Sequence, residues 1–211
     1  MGEKSAGAVI IGNGSLIIPC VEYLLDNDFK ILVVVTSDVD VEGWCCTNKI
    51  HVIQESDIQE VEKMEFDYLF SIVYLNVLPK EIIKKPKKAA INYHDALLPA
   101  YAGIHATSWA IMNCEKKHGI TWHIIEEKLD TGNILVQKEI EIEDGETAVS
   151  LNMKCFQAAI EGFYELIDSI ISGNLVGFPQ NISNRTYYGK WKKPKLASLI
   201  NWNKKNEEIL N

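Results

Sequence analysis

The stretch GAVIIGNGSLIIPCVEYLLDNDFKILVVVTSD, from Gly7 to Asp38, decides the predicted fold. It begins with a short apolar run that ends in Gly-Asn-Gly-Ser, and apolar residues then recur near the spacing of a helix. A continuous β-branched run follows, as is typical of a strand buried on both faces. Two parallel strands joined by a helix begin an open α/β sheet. We therefore predict an α/β fold with a Rossmann-like open, mostly parallel sheet and helices on both faces.

The remainder of the chain continues this pattern less regularly. Further strands are predicted in FDYLFSIVY (66–74), KAAINY (88–93), GITWHII (119–125) and NILVQKEIEI (133–142). A capped helix is predicted in SDIQEVEKM, with Ser56 as its N-cap, and one long helix runs from Glu146 to a stop at Gly173. The chain then turns polar and loses its period. We predict one domain over residues 1–175 and a short irregular basic C-terminal extension or linker over residues 176–211.

Composition limits the classes of function. The chain has 211 residues, 47% hydrophobic, with a formal net charge of −8, which suits one sizeable core and disfavours a nucleic-acid partner. Its five cysteines are odd in number and lack metal-ligand spacing, so we predict free thiols in a reducing cytoplasm and no metal. The apolar run Ala6 to Ile11 is too short to span a bilayer, so no membrane association is expected.

The charge is distributed unevenly. Between Phe178 and Asn206 there is no Asp or Glu, but there are seven basic residues: Arg185, Lys190, Lys192, Lys193, Lys195, Lys204 and Lys205. This segment is either a solvated tail or a docking strip for an acidic partner.

The turn Gly12-Asn13-Gly14-Ser15 lies between the first strand and the first helix. Glycines there can direct backbone N–H groups at an anion or phosphate near the helix N-terminus. A dinucleotide fingerprint needs a third glycine, and Ile17 and Ile18 stand in its place. A tight turn without a ligand is therefore an equal alternative.

The most informative polar pair is in INYHDALLPAYAGIHATSWAI, from Ile91 to Ile111. Asn92 and His94 come where the fourth strand ends, and ligands of open α/β sheets bind outside the carboxyl ends of strands. A histidine there can act as a general base or stabilise charge, and an asparagine amide can donate to an oxyanion. Asp130, in the later loop LDTGNIL, is the carboxylate that could orient His94.

Two other histidines have weaker interpretations. His105 follows Gly103 and either touches a substrate or begins a helix. His123, inside the apolar strand GITWHII, is interpreted as a core or sheet-edge histidine, and Trp122 as a core aromatic.

These motifs together resemble the folate-dependent formyltransferases. The likeness covers Asn92-x-His94, the LLP at Leu97 to Pro99, Gly103, GITWH, and LDTG at Leu129 to Gly132, and it extends from about Ala8 to Gly173. It implies that residues 1–175 form the catalytic domain, with Asn92, His94 and Asp130 as the catalytic residues and 10-formyltetrahydrofolate as cosubstrate. The residues expected to hold the folate are Tyr74, Leu75, Asn76, Val77, Leu78, Glu126, Leu129 and Gly132. The residues expected to bind the substrate are Gly12, Asn13, Gly14, Ser15 and His105.

The amine acceptor is less well defined. The chain is most similar to the formylation domains of nonribosomal peptide synthetases, which implies an aminoacyl group on a carrier protein. Glycinamide ribonucleotide and amino-sugar nucleotides are the alternatives. Methionyl-tRNA is disfavoured because its formyltransferases carry an additional C-terminal domain. A catalytically silent module that binds folate or a nucleotide is an alternative of another class.

Overall fold

The computed structural model describes residues 5–194, 202–203 and 205. The strands are β1 Gly7–Gly12, β2 Lys30–Val35, β3 Val52–Ile53, β4 Tyr68–Ile72, β5 Ala89–His94, β6 Ala102–Gly103, β7 Lys117–Ile124, β8 Ile134–Glu141 and β9 Tyr187–Tyr188. The α-helices are α1 Ile17–Asp26, α2 Val39–Thr47, α3 Lys80–Ile83, α4 Ala106–Met112 and α5 Ala148–Ile171. Two 3-10 helices span Glu55–Lys63 and Ile182–Asn184.

Seven strands form the main sheet, in the order β3-β2-β1-β4-β5-β7-β8. The first five pair in parallel, and β7 and β8 add antiparallel. This confirms the predicted Rossmann-like, mostly parallel sheet. The order in which successive strands are added to the sheet reverses between β1 and β4, so a crevice is expected at the carboxyl ends of these strands.

The main sheet is buried on both faces because its central strands are apolar at nearly every position. On β1, Ala8 and Ile10 pack into one core with α1 and α5, while Val9 and Ile11 pack into a second with the 3-10 segment and α3. Trp122 is fully buried in the first core, as predicted. Burial of each such large apolar side chain contributes about 1.5–3 kcal/mol, so the two cores hold the strand ends at fixed positions.

Helix α5 ends as the sequence predicts, with Gly173 in the left-handed region at φ 71°. Thr147 begins it through a capping box with Ser150. The predicted helix with Ser56 as N-cap is wrong: residues Glu55–Lys63 form a 3-10 helix instead. Asp57 has non-helical φ and ψ there, and the Ser56 hydroxyl donates to the Asp57 carboxylate rather than capping the helix.

A short second sheet joins the C-terminal segment to the rest of the molecule. In it β9 pairs in parallel with β6, and Phe178 exchanges two backbone hydrogen bonds with Ile134. The predicted boundary at residue 175 stays a prediction, and Lys195 and Lys204 of the basic segment lie outside the described residues. Within the described part of the chain, no helix is long and apolar enough to span a membrane.

Candidate active site

A cavity of about 990 Å³ opens at the carboxyl edge of the main sheet. This volume suits a sizeable organic ligand. The catalytic residues predicted from sequence, Asn92, His94 and Asp130, all line it. The structure thus brings together, from β5 and the loop after β7, side chains that lie 36 or more residues apart in the chain. No cluster of three or more potential metal-ligating side chains occurs among the described residues.

His94 is the last residue of β5, and it is 5% exposed. Its Nε2 lies 2.9 Å from the carbonyl oxygen of Tyr101. A carbonyl can only accept, so Nε2 carries a proton and the neutral ring has its lone pair on Nδ1. The Tyr101 backbone therefore orients His94, a role that the sequence prediction gave to Asp130.

Asp130 is 7% exposed and has a left-handed backbone, with φ 53°. Its Oδ2 accepts a 2.8 Å hydrogen bond from the Gly103 N–H. Its Oδ1 lies 3.7 Å from Nε2 of His123, which is too long for a direct hydrogen bond. The carboxylate is thus held by backbone and faces a histidine that the sequence interpretation placed outside the site.

His123 links Asp130 to Asn92. Its Nδ1 donates to the Ile124 carbonyl at 2.8 Å, which leaves Nε2 as an acceptor for the Asn92 amide at 3.2 Å. Burial lowers the pKa of His123, although the Asp130 carboxylate opposes this shift. We conclude that His123 is neutral at neutral pH and that its contact with Asp130 is not an ion pair.

The Asn92 amide is fully engaged in this arrangement. Its Nδ2 donates to the Tyr93 carbonyl at 2.8 Å and to His123 at 3.2 Å. Donation to an oxyanion, as predicted from sequence, requires that one of these bonds be exchanged, and the longer bond to His123 is the weaker one.

The interpretation of His123 as a core or sheet-edge residue missed this contact. The signal lay in strand pairing, since Asn92 is directly opposite His123 across the antiparallel β5–β7 pair. That register cannot be read from the sequence of one strand.

Most of the residues predicted to hold a folate line the cavity: Tyr74, Leu75, Asn76, Val77, Leu78, Glu126 and Leu129. Gly132 instead lies behind the wall, where a side chain would collide with the Ile124 carbonyl at 1.9 Å. Leu75 and Val77 are 72% and 82% exposed. These exposed apolar side chains, beside a deep cavity, suit an apolar face of a ligand.

Glu55, which the sequence interpretation overlooked, ties this loop to the first turn. Its Oε2 accepts from the Asn76 amide at 3.1 Å, and its Oε1 accepts from the Asn13 amide at 2.7 Å. The Ser37 hydroxyl donates to the same oxygen at 2.7 Å. Glu55 thereby connects the carboxyl ends of β1, β2 and β4.

The turn Gly12 to Ser15 holds an internal carboxylate. The Gly14 N–H donates to Oδ2 of Asp38 at 3.0 Å. Backbone donors of Val41, Gly14 and Asp40 hold the pKa of Asp38 below its ordinary value, so this group is ionised at neutral pH. Gly14 and Ser15 line the cavity, but the side chain of Asn13 is bonded to Glu55 and Thr36.

His105 lies at the start of α4 and also lines the cavity. Its backbone is left-handed, at φ 59°, and its side chain does not cap the helix. His105 is thus a residue of the helix start, as one interpretation has it, and its contact with a substrate stays a prediction.

The chain belongs to the formyl transferase family, whose model matches residues 34–167. This match includes all three predicted catalytic residues, and it confirms the predicted enzyme class, a formyltransferase. The finer resemblance to the formylation domains of nonribosomal peptide synthetases stays a prediction.

Individual relatives are similar over most of the chain. A methionyl-tRNA formyltransferase of Thermodesulfovibrio yellowstonii is 34% identical, over 98% of this chain and 72% of the relative. The crystal structure of an N-formyltransferase from Helicobacter canadensis, in complex with folinic acid and dTDP-3-aminofucose, is 25% identical, with a TM-score of 0.84 over 98% of this chain and 78% of that chain. A glycinamide ribonucleotide transformylase of Symbiobacterium toebii shares the fold at 18% identity, with a TM-score of 0.71 over 84% of this chain and 95% of that chain.

Proposed function

We propose that the protein transfers the formyl group of 10-formyltetrahydrofolate to the primary α-amine of an aminoacyl group, presented by a carrier protein. The observation that carries the reaction is the convergence of Asn92, His94 and Asp130 on one cavity at the carboxyl edge of the sheet. Membership of the formyl transferase family supports the same chemistry.

The reaction is an acyl transfer. The neutral amine attacks the formyl carbon, a C–N bond forms, and the carbonyl oxygen becomes an oxyanion. The bond from carbon to N10 of the folate then breaks, the amine nitrogen loses a proton, and N10 gains one. Catalysis therefore needs donors to the oxyanion and groups that move one proton between the two nitrogens.

The side chains present can meet both needs. His94, fixed at Nε2 by the Tyr101 carbonyl, can take up a proton on Nδ1 and donate to the oxyanion. Asn92 can donate a second hydrogen bond when it releases His123. The Asp130 carboxylate, whose Oδ1 lies 3.7 Å from Nε2 of His123, can pass the proton through water.

The folate would lie between two loops. The backbone groups of residues 74–78 offer donors and acceptors to a pterin, and Leu75, Val77 and Leu129 offer apolar walls. This combination is what a flat heteroaromatic ligand needs. In this pose the formyl carbon would lie at the end of β5, beside His94.

Two observations favour an acceptor without a phosphate at the first turn. Asp38 already occupies the Gly14 N–H, and its negative charge repels an anion at that point. The cavity is also lined by Ser108, Val149, Asn152 and Phe156, a mixed surface that suits an aminoacyl side chain. Glycinamide ribonucleotide is therefore the weaker alternative.

A carrier protein also suits the charge distribution. Carrier proteins are commonly acidic, and the described part of the basic segment presents Lys190, Lys192 and Lys193 on exposed backbone. Opposite charges would steer the two proteins together, with an effect that salt weakens.

Methionyl-tRNA is a second candidate acceptor. The observation that favours it is the 34% identity to a methionyl-tRNA formyltransferase over nearly the whole chain. This acceptor also presents an α-amine on an aminoacyl ester, so the chemistry at His94 is the same. The negative charge of the chain makes it the less favoured of the two.

One assay separates these acceptors. The protein is mixed with 10-formyltetrahydrofolate and, in turn, an aminoacyl carrier protein, methionyl-tRNA, glycinamide ribonucleotide and an amino-sugar nucleotide, and release of tetrahydrofolate is followed by absorbance. We expect rapid release with the carrier-bound acceptor, and none from a His94→Ala variant. Efficient formylation of another acceptor and none of the carrier-bound one would contradict the acceptor assignment but leave the chemistry in place. No release with any acceptor, while folate still binds, would favour a silent module.

A further inference from the structure

A segment beyond the residues matched by the family model holds the backbone on which the catalytic groups depend. Residues 180–188, here called the strap, cross from the loop that carries Asp130 to the turn at Tyr101 to Ile104. The family match ends at residue 167, and the sequence interpretation assigned the strap to an irregular extension.

The first contact of the strap is at the Asp130 loop. Gln180 is 9% exposed, and its Nε2 donates to the Asp130 carbonyl at 3.1 Å and to the Gly132 carbonyl at 2.7 Å. The Arg185 guanidinium donates to the Leu129 carbonyl at 3.1 Å. Three carbonyl groups of the loop, those of Leu129, Asp130 and Gly132, thus accept hydrogen bonds from the strap. This matters because Asp130 has a left-handed backbone, which is unfavourable for a residue other than glycine unless its surroundings hold it.

The second contact is at the turn that orients His94. The Thr186 hydroxyl accepts from the Tyr101 N–H at 2.7 Å, and the Thr186 carbonyl accepts from the Ala102 N–H at 3.0 Å. Tyr188 accepts from the Ile104 N–H at 2.9 Å. The Tyr101 and Tyr188 rings stack with centroids 5.1 Å apart. The strap therefore holds the peptide groups on each side of Tyr101 and the peptide group that follows Gly103.

Two backbone groups of the turn that the strap holds contact the catalytic side chains. The Tyr101 carbonyl orients His94, and the Gly103 N–H holds the Asp130 carboxylate. A Cβ atom at Gly103 would lie 2.2 Å from the Tyr188 carbonyl oxygen, so the strap backbone packs too closely against this turn for any residue other than glycine.

We propose that the strap belongs to the catalytic unit, and that Gln180 and Thr186 are positioning residues that set the relative placement of Asp130 and His94. Neither residue needs to touch the substrate. The inference rests on the proposed function, because the strap can affect catalysis in this way only if His94 and Asp130 are catalytic. A displacement of about 1 Å in such groups can cost on the order of a hundredfold in rate.

The test uses the full chain and four variants. Gln180→Ala removes both donors, and Gln180→Glu keeps the shape but places an acceptor against two carbonyl oxygens. Thr186→Val keeps the shape and removes the hydroxyl, whereas Thr186→Ser retains it. Asn184→Ala, at an exposed position in the same segment, is the control. All are assayed well below their melting temperatures.

We expect Gln180→Ala to lower kcat at least about tenfold. The KM for folate should stay within about twofold, because Leu75 and Val77 belong to another loop than the one whose carbonyl groups Gln180 holds. The kcat of Gln180→Glu should be lower still. Thr186→Val should lower kcat about as much as Gln180→Ala does, whereas Thr186→Ser should keep most of the wild-type kcat. If Gln180→Ala and Thr186→Val both match the Asn184→Ala control in kcat while His94→Ala is inactive, the strap has no positioning role. An active His94→Ala would instead overturn the proposed function itself.

Discussion

Replacement of Asp130 by asparagine should separate the catalytic charge of this residue from its structural hydrogen bond. The amide oxygen of asparagine can still accept from the Gly103 N–H, and asparagine tolerates the left-handed backbone at φ 53° better than most residues. We therefore expect the free energy of unfolding of Asp130→Asn to lie within about 1 kcal/mol of that of the wild type. Formyl transfer should fall on the order of 10²–10³-fold, because the neutral amide cannot take up and pass on the transferred proton as the carboxylate does.

Asp130→Ala should lose both functions of the side chain. It removes the partner of the half-buried Gly103 N–H, which costs at most about 1–3 kcal/mol. Alanine also adds about 1–2 kcal/mol of backbone strain in the left-handed region. Its melting temperature should accordingly fall well below that of Asp130→Asn, whereas the two variants should be similarly inactive.

The assay combines thermal unfolding with steady-state release of tetrahydrofolate at saturating acceptor. Asp144→Asn, which removes a charge from a carboxylate that is 98% exposed, is the matched control and should behave as the wild type. If Asp130→Asn keeps more than about a tenth of the wild-type turnover, its charge contributes less than a primary catalytic group does, and the role assigned to Asp130 is wrong.

Three further outcomes are expected. Burial lowers the pKa of His123, so as pH falls below about 6.5 the histidine is protonated in the unfolded chain before it is protonated in the folded protein, and the free energy of unfolding of the wild type should drop by up to about 1.4 kcal/mol per pH unit. Urea denaturation at pH 7.5 and 5.5 should show a smaller drop in His123→Gln. Equal drops in the two proteins would contradict a neutral buried His123. Inorganic phosphate should leave the amide NMR signal of Gly14 unchanged, since Asp38 occupies it; a saturable shift would show that the turn binds anions. Replacement of Lys190, Lys192 and Lys193 by alanine should raise the KM for a carrier-bound acceptor about threefold or more at low salt, and it should leave the KM for a small acceptor unchanged. If the KM is unchanged for both acceptors, this segment does not steer the carrier protein.

The parallel part of the sheet could be predicted because each of its strands carries its own signal. The runs around Val33 and Leu69 are apolar at successive positions, as burial on both faces requires. Once that sheet is accepted, its topology alone places Asn92 and His94 at the carboxyl edge. The site was therefore predictable to the extent that it lies at the ends of such strands.

The contacts that orient the site could not be predicted, because they join residues that are distant in sequence and carry no periodic pattern. Asp38, Glu55 and Gln180 each act through one side chain on backbone or amide groups elsewhere. In a sequence, such a residue looks like any polar residue of a loop. The 3-10 conformation near Ser56 depends likewise on one non-helical residue, Asp57, which propensity does not reveal.

The position of a bound folate tests the central claim most directly. A crystal structure of the protein with a stable 10-formyltetrahydrofolate analogue should show the pterin between residues 74–78 and the loop from Glu126 to Gly132. The formyl oxygen should then lie within hydrogen-bonding distance, roughly 3 Å, of Asn92 or His94. A pterin at the amino-end edge of the sheet, or a formyl group far from both side chains, would contradict the proposed site and the roles of its residues.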